Sequence, residues 1–263
     1  MSEEISLAAR VFSWGARALY VGPTLNLSPH RNAVAVLAVG LDASFKVAND
    51  ARDVRAGYRS CRTVIVPPNT LHHLAEITGP MAFLYVDARS DDLPRLLTQA
   101  ALQESHAAFH LACEKALIGG LRKLYEYEVT WAQARSDLCT CLGFVGKRQI
   151  DLRVQRALDF LHANPCARQS LEEISAHIGL SPSRFIHLFK EATGVPLRRY
   201  KLWLAMGAAM RSVAGGSNLT TAAMNGGFSS PAHFSASFRE MFGLEPSRLV
   251  YDPNTDRSRS SPS

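Results

Sequence analysis

Three histidines have the type and position to support metal or ligand chemistry. His30 stands just before an apolar run, and His72 and His73 follow a Pro-Pro turn and precede Glu76. A metal site needs at least three well-placed imidazoles or carboxylates. Neighbouring residues of one strand point to opposite faces, so only one of His72 and His73 can join His30. We predict that His30, His72 and His73 mark an effector pocket without a metal or other cofactor. A neutral imidazole both donates and accepts, which suits a polar or carboxylate-bearing ligand.

Cysteine chemistry and catalysis receive little support from the sequence. Cys139 and Cys141 are separated by one residue, but no Cys-x-x-Cys pair occurs among the five cysteines, and free cysteine is a common core residue. The odd number of cysteines also argues against a disulfide-stapled secreted domain. Nucleophile elbows, phosphate-binding loops and locally supported acid–base pairs are not found. We therefore expect no catalytic residues.

Basic residues in the C-terminal third could bind nucleic acid. Residues 151–250 contain 11 Lys and Arg, nine of them arginine, against seven Asp and Glu. Such a balance is compatible with contacts to phosphates, although many enzymes are equally basic. The charge therefore permits a nucleic-acid partner without requiring one.

The composition is that of an ordinary globular protein. The chain has 263 residues, 47% apolar and 20% charged, with a formal net charge of +6. This length predicts two modest domains or one large one. The longest apolar run, Ala33–Val39, is far shorter than the roughly 18 residues of a membrane-spanning helix, and no secretory signal precedes it. We expect a cytoplasmic protein without a membrane partner.

The patterning changes from strands to helices along the chain. Up to about residue 90, short apolar or alternating runs lie between Gly and Pro turns, which is typical of a small barrel or sandwich. The spacing then becomes helical. We predict an α+β protein with a β-barrel over 1–90, a helical linker over 91–147, an all-α domain over 148–250 and a disordered tail over 251–263.

The C-terminal third contains an internal repeat. Each copy has a short apolar helix, a Gly turn, a Ser-Pro start and a second helix with two aromatic residues four positions apart. This is the order of a helix-turn-helix unit. The anchors Leu171, Gly179, Phe185, Phe189 and Gly194 recur 48 or 49 positions later as Leu219, Gly227, Phe234, Phe238 and Gly243.

The second helix of each copy has an outward face that could contact DNA. Its aromatic residues occupy the buried stripe, and the N-terminal end of such a helix is the part that enters the major groove. The candidate DNA contacts are Ser181, Ser183, Arg184, His187 and Lys190 in the first copy, and Ser229, Ser230, Ala232, His233 and Arg239 in the second.

The segment from Leu171 to Arg248 resembles the DNA-binding domain of the AraC/XylS family of bacterial transcription regulators. The matching stretches are Ser170–Tyr200 and Ala222–Leu249. The family signature lies in the second stretch, at Gly227, Phe228, Phe234, Phe238, Gly243 and Pro246. The resemblance implies seven helices, with two helix-turn-helix units joined by a long helix near Leu197–Ala214.

The region before this segment resembles, more loosely, a cupin-like sensor barrel followed by helices. Together the two resemblances imply a regulator that binds double-stranded DNA and is controlled by a small-molecule effector in the barrel. They also imply a homodimer whose linker helices carry the dimer contacts, and RNA polymerase as a further partner. A cupin-type metalloenzyme fused to a DNA-binding module, and a constitutive regulator without a ligand, remain alternatives.

Two positions depart from the family pattern. Ala205 and Met206 follow Trp203-Leu204 where an Arg-Leu pair is frequent, and Ala236 stands where the second recognition helix often has arginine. Both departures remove possible DNA contacts, and phosphate contacts supply much of the affinity for DNA. We therefore expect weaker readout by the second unit.

Overall fold

The N-terminal half of the chain is built from β-strands. The computed structural model describes residues 9–48, 57–104, 106–144, 150–166 and 169–248. Its strands are β1 Arg10–Trp14, β2 Arg17–Gly22, β3 His30–Arg31, β4 Ala35–Gly40, β5 Phe45–Ala48, β6 Arg59–Cys61, β7 Thr63–Val66, β8 Leu71–Ala75, β9 Met81–Val86, β10 Ala100–Gln103 and β11 Ala108–Leu111. Antiparallel pairing gives a seven-stranded sheet in the order β1-β2-β9-β4-β7-β11-β10 and a four-stranded sheet in the order β3-β8-β5-β6.

The central strands of the larger sheet are buried on both faces, which explains why their sequences are unbroken apolar runs. Along β4, Val36 and Ala38 belong to a core shared with the smaller sheet, whereas Ala35, Leu37 and Val39 belong to a core on the opposite face. One face is therefore covered by the four-stranded sheet and the other by helices.

Three helices cover that second face, namely α1 Asp92–Gln99, α2 Glu114–Tyr125 and α3 Trp131–Cys141. The prediction of an entirely helical segment over 91–147 is wrong for 100–111, where β10 and β11 pair and extend the larger sheet. The apolar residues around Ala100 fit helical spacing, but Ala100 itself is extended. A boundary at residue 90 is wrong for the same reason, because the sheet continues to Leu111. We call residues 9–144 the N-terminal domain.

The rest of the chain is helical and forms the C-terminal domain, residues 150–248. Its helices are α4 Leu152–Ala163, α5 Leu171–His177, α6 Pro182–Thr193, α7 Leu197–Ala214, α8 Leu219–Asn225 and α9 Pro231–Phe242, followed by a 3-10 turn at Pro246–Arg248. The predicted α+β class with two helix-turn-helix units, α5–α6 and α8–α9, is confirmed. The described residues of this domain contain six α-helices and this turn, where the resemblance implied seven helices. The predicted tail over 251–263 lies outside the described residues. No described helix is long and apolar enough to cross a membrane.

Matching end signals define the second helix of each unit. Ser181 and Ser230 cap α6 and α9 through their hydroxyl oxygens, and a proline follows each cap. Both helices end at a left-handed glycine, Gly194 with φ 74° and Gly243 with φ 75°. Local sequence alone is therefore sufficient to start and stop these helices.

The two units pack differently. The first unit has a core of its own, built from α4, α5, α6 and the first half of α7. In the second unit, Phe228, Phe234 and Phe238 belong to the same core as Val36 and Phe83 of the larger sheet. The second unit is therefore docked directly on the N-terminal domain.

Candidate nucleic-acid interface and ligand pocket

The outward face of α6 presents a set of exposed polar side chains. Ser183, Arg184, His187 and Lys190 are all exposed, and the three, four and seven residue spacings align Ser183, His187 and Lys190 along one stripe. Ser181 lies at the N-terminal end of this surface, where its hydroxyl accepts from the Arg184 amide. The structure thus brings the predicted residues of the first unit together, and their contact with DNA stays a prediction.

Ile186 is a member of this surface that the sequence analysis missed. Its side chain is 41% exposed, and it lies on the stripe between Ser183 and Lys190, beside His187. An apolar side chain at this place can contact the methyl group of thymine. Ile186 directly follows the buried Phe185, and neighbouring residues of a helix point in directions about 100° apart. The sequence could therefore have indicated that Ile186 lies outside the buried stripe.

The corresponding face of α9 has fewer free polar groups. The predicted residues Ser229, Ala232, His233 and Arg239 are exposed, and Ser230 is half-buried as the cap. Ser229 Oγ lies 3.0 Å from His233 Nδ1, and Arg239 forms an ion pair with Glu245. Since Ala232 and Ala236 add no polar group, α6 is the richer of the two surfaces.

The structure places His72, and not His73, beside His30. His30 and His72 are directly opposite each other on β3 and β8, with ring centroids 4.3 Å apart, and their side chains are 4% and 2% exposed. Asn32 adds an amide whose Nδ2 is 3.3 Å from His72 Nε2. These three side chains line a cavity of about 10 Å³ between the sheets. Whether they bind an effector stays a prediction.

His30 is buried and does not open onto solvent. A side chain built on Gly243 would lie 2.6 Å from His30 Nδ1, so His30 is packed against the end of α9. His73 instead faces an outer groove, and its Nδ1 is 2.6 Å from the Tyr58 hydroxyl. Glu76 is exposed and paired with Lys46.

Both buried imidazoles are neutral at physiological pH. Burial lowers the pKa of His30 to about 3, with a further contribution from His72. Burial likewise lowers the pKa of His72 to about 4, although its hydrogen bond to the Thr70 carbonyl acts in the opposite direction. Within the described ranges, no group of three His, Cys, Asp or Glu side chains is arranged to hold a metal ion.

Two of the cysteines, Cys61 and Cys141, have surroundings that make a thiol unreactive. Cys61 is buried, and Cys141 Sγ lies 3.8 Å from the Cys113 carbonyl oxygen. Burial raises the pKa of both Cys61 and Cys141 to about 12. Because the thiolate is the reactive form, these thiols are poor nucleophiles.

A buried carboxylate joins the two domains. Asp87, just after β9, accepts hydrogen bonds from the Tyr200 hydroxyl at 2.7 Å and from Trp203 Nε1 at 3.2 Å, both on α7. Burial and the Asp87 carboxylate raise the pKa of Tyr200, so its hydroxyl keeps the proton that it donates. His162 Nε2 lies 2.8 Å from the same hydroxyl. Asp87 therefore ties α7 of the C-terminal domain to the end of β9 through two hydrogen bonds.

Two cations of α7 are held by contacts inside the protein, and one of them, Arg199, reaches the N-terminal domain. Arg199 donates to the Arg31 carbonyl and pairs with Glu240, and Lys201 Nζ donates to the Gln169 carbonyl at 2.6 Å. These two side chains are therefore committed to contacts inside the protein.

Replacement of Asp87 by Asn should destabilise the protein by roughly 1–2 kcal/mol, because an amide loses the charge-assisted hydrogen bonds and turns Nδ2 toward a donor. Urea unfolding followed by tryptophan fluorescence measures the change. Asp137→Asn, on the exposed surface of α3, is the matched control and should be neutral. Equal stability of the two variants would contradict the assigned role of Asp87.

Comparison with known proteins agrees with this architecture. A family model described as a helix-turn-helix domain matches residues 174–250. The invasion protein InvF of Salmonella typhi is 30% identical over 91 residues, which are 34% of this chain and 42% of InvF, and the same values hold for InvF of Salmonella typhimurium. The matched segment thus spans less than half the length of these relatives.

Solved structures match over most of the chain. Apo ToxT of Vibrio cholerae has a TM-score of 0.61 at 12% identity, covering 90% of this chain and 97% of ToxT. ToxT with a bound unsaturated fatty acid gives 0.59 at 11% identity, covering 90% and 96%. These likenesses show the fold, while the helix-turn-helix match concerns the C-terminal domain. Residues 174–250 therefore match a helix-turn-helix domain, and the chain as a whole shares the fold of ToxT.

Proposed function

We propose that this protein is a sequence-specific DNA-binding transcription regulator that responds to a small-molecule effector. The observation that carries the proposal is the pair of equally capped helices, α6 and α9, whose polar faces are exposed in an AraC-type domain. Recognition helices about 34 Å apart read successive major grooves on one face of the duplex. The richer polar surface of α6 supports the first unit as the main reader.

Arg184→Ala and His187→Ala should each weaken binding to the specific site by about 1–3 kcal/mol, because each removes a group that can reach a base edge or phosphate. Affinities are measured by fluorescence anisotropy with a labelled promoter fragment selected from a genomic pool. The matched controls are Arg135→Ala and His106→Ala, which change exposed residues of the N-terminal domain.

The affinity of the parent chain should also fall steeply with salt, since binding releases counterions from DNA. If the folded protein does not bind duplex DNA even at low salt, the proposal is wrong. If both alanine variants bind the specific site as tightly as the parent chain, α6 is not the helix that reads the DNA.

The position of His30 supports control by an effector. Its ring lines the cavity on one side and contacts the Gly243 end of α9 on the other. A ligand that moves β3 would therefore act directly on the second helix-turn-helix unit. ToxT, which shares the fold, has been crystallised with an unsaturated fatty acid, and this supports a small-molecule ligand here.

The resemblance to the AraC/XylS family supports further expectations about partners and about the organisation of the chain. We expect double-stranded DNA and RNA polymerase as partners, a homodimer formed through the helices between Leu93 and Leu142, and action in the cytoplasm, where the target DNA lies. A cupin-like closure of the two sheets belongs to the same expectation. The structure favours a first domain that extends to residue 144 over the division at residues 90 and 147. At the cavity, the described residue that accompanies His30 and His72 is an amide, Asn32, and not a third imidazole or carboxylate, so this site gives the metalloenzyme alternative no support.

A further inference from the structure

The hydrogen bonds of two buried histidines fix which of their nitrogens carries the proton. His30 Nδ1 lies 2.8 Å from the Ser28 carbonyl oxygen, and His72 Nδ1 lies 3.0 Å from the Thr70 carbonyl oxygen. A carbonyl oxygen only accepts, so both Nδ1 atoms must donate. Because both imidazoles are neutral, the Nε2 atom of each ring is left as an acceptor.

Asn32 extends this pattern into the cavity. Its Nδ2 donates to the acceptor His72 Nε2 at 3.3 Å, which directs Oδ1 away from that ring. Asn32 is 2% exposed, and no donor among the described residues lies within hydrogen-bond distance of its buried Oδ1. A buried acceptor without a partner destabilises the folded protein, because it has lost its hydrogen bonds to water. A group that supplies a donor here removes that destabilisation.

The charges around the cavity do not favour an anion. Arg31 donates to the Asn69 carbonyl at 2.8 Å, and Arg199 is held by Glu240 and by the Arg31 carbonyl. Tyr85, which also lines the cavity, stays a neutral phenol because burial raises its pKa. No lysine or arginine is among the described residues that line the cavity, so a carboxylate there would lose its hydration without a charged partner in the lining.

We propose that the cavity formed by His30, Asn32 and His72 recognises the hydroxyl donor of a neutral alcohol or phenol and excludes carboxylates. This deepens the proposed function, on which it rests, by naming the chemical class of the effector. It also replaces the sequence-based expectation of a carboxylate-bearing ligand. The cavity of about 10 Å³ has room for the polar head alone.

An adjoining groove provides space for the apolar body of such a ligand. The groove has a volume of about 400 Å³ and is open to solvent between the segment 25–29 and β8. Leu27 and Leu74 line both the groove and the inner cavity. Rotation of these two side chains would connect the groove with Asn32, and the hydroxyl would then pass inward while the ligand body stays between apolar walls.

The test compares three probes on the full chain that share a 4-ethylphenyl body and differ in the polar head, namely 4-ethylphenol, 4-ethylanisole and 4-ethylbenzoate. The phenol donates, the methyl ether only accepts, and the benzoate is an anion. Thermal shift and isothermal titration calorimetry at about 1 mM probe, near the weak end of measurable affinity, should show binding of the phenol alone. Binding of the benzoate as tight as that of the phenol, or no response to the phenol, would overturn the inference.

Asn32→Leu should weaken phenol binding about tenfold or more, because it removes the unpaired acceptor at similar volume. Asn26→Leu makes the same change in the outer groove and should leave the hydroxyl preference intact. If Asn32→Leu does not fold, the comparison of the three probes on the parent chain still tests whether the cavity prefers a hydroxyl donor. DNA binding, measured on the same sample, distinguishes failure of this inference from failure of the proposed function. If the parent chain binds DNA but does not prefer the phenol, only the inference is refuted. If it does not bind DNA, the proposed function is refuted.

Discussion

Acidification from pH 7 to pH 5 should reduce the free energy of unfolding by about 2 kcal/mol for each of His30 and His72. Their pKa values are lowered to about 3 and about 4 by burial, whereas an unfolded histidine titrates near 6.5. Between these values the unfolded chain binds protons that the folded chain does not. The stabilisation is therefore complete above about pH 6.5 and is lost progressively as the pH falls toward the folded pKa values.

Urea unfolding at pH 7, 6 and 5 measures this effect, and His30→Gln and His72→Gln should each flatten the pH dependence. The same substitution at the exposed His106 is the matched control. Burial also lowers the pKa of His162, but that residue is common to all the variants, so its share cancels in the comparison. An identical pH dependence in parent and variants would show that the two rings are protonated or exposed in the folded protein.

The helices of the C-terminal domain could be predicted from sequence because their signals are local. Ser-Pro starts and Gly ends mark α6 and α9, whereas the long helix near Leu197–Ala214 was implied by the family resemblance and has those bounds in the structure. A cap or a left-handed glycine acts within one turn of chain. Residues a few positions apart are therefore enough to specify these elements.

The strands β10 and β11 and the partners of the pocket depend on distant residues, so sequence could not predict them. β11 pairs with β7, more than 40 residues earlier in the chain, and its apolar residues fit a helix as well as a strand. The histidines were predicted by type, but Asn32 becomes significant only because β3 and β8 place it beside His72. The contact of His30 with Gly243 likewise joins elements that no local pattern connects.

Replacement of Gly243 by Ala should destabilise the full chain by about 1–3 kcal/mol more than replacement of Gly194 by Ala. The two glycines are matched in local structure, with φ 75° and 74° and the same C-cap hydrogen bond four residues back. Each alanine therefore carries the same cost of a left-handed backbone, about 1–2 kcal/mol. The difference between the variants isolates what surrounds them.

The space around the two glycines differs: a methyl group fits at Gly194 and clashes with backbone at Gly243. A methyl group on Gly194 would lie 3.7 Å from Pro68, which is an ordinary contact. On Gly243 it would lie 2.6 Å from His30 Nδ1 and closer still to the Ser28 carbonyl oxygen, whose own residue donates its amide to Gly243 at 2.7 Å. The backbone of the segment that leads into β3 must shift, and α9 must lose its contact with β3.

Urea unfolding of both variants gives the difference in stability, and hydrogen exchange at the Arg31 amide reports whether β3 has loosened. Faster exchange in Gly243→Ala but not in Gly194→Ala is the expected pattern. Equal stability and equal exchange would mean that α9 is not held on β3 in solution. The expected result would instead show that β3 contacts both the cavity and the second helix-turn-helix unit. A ligand in the cavity that moves β3 would then also move α9.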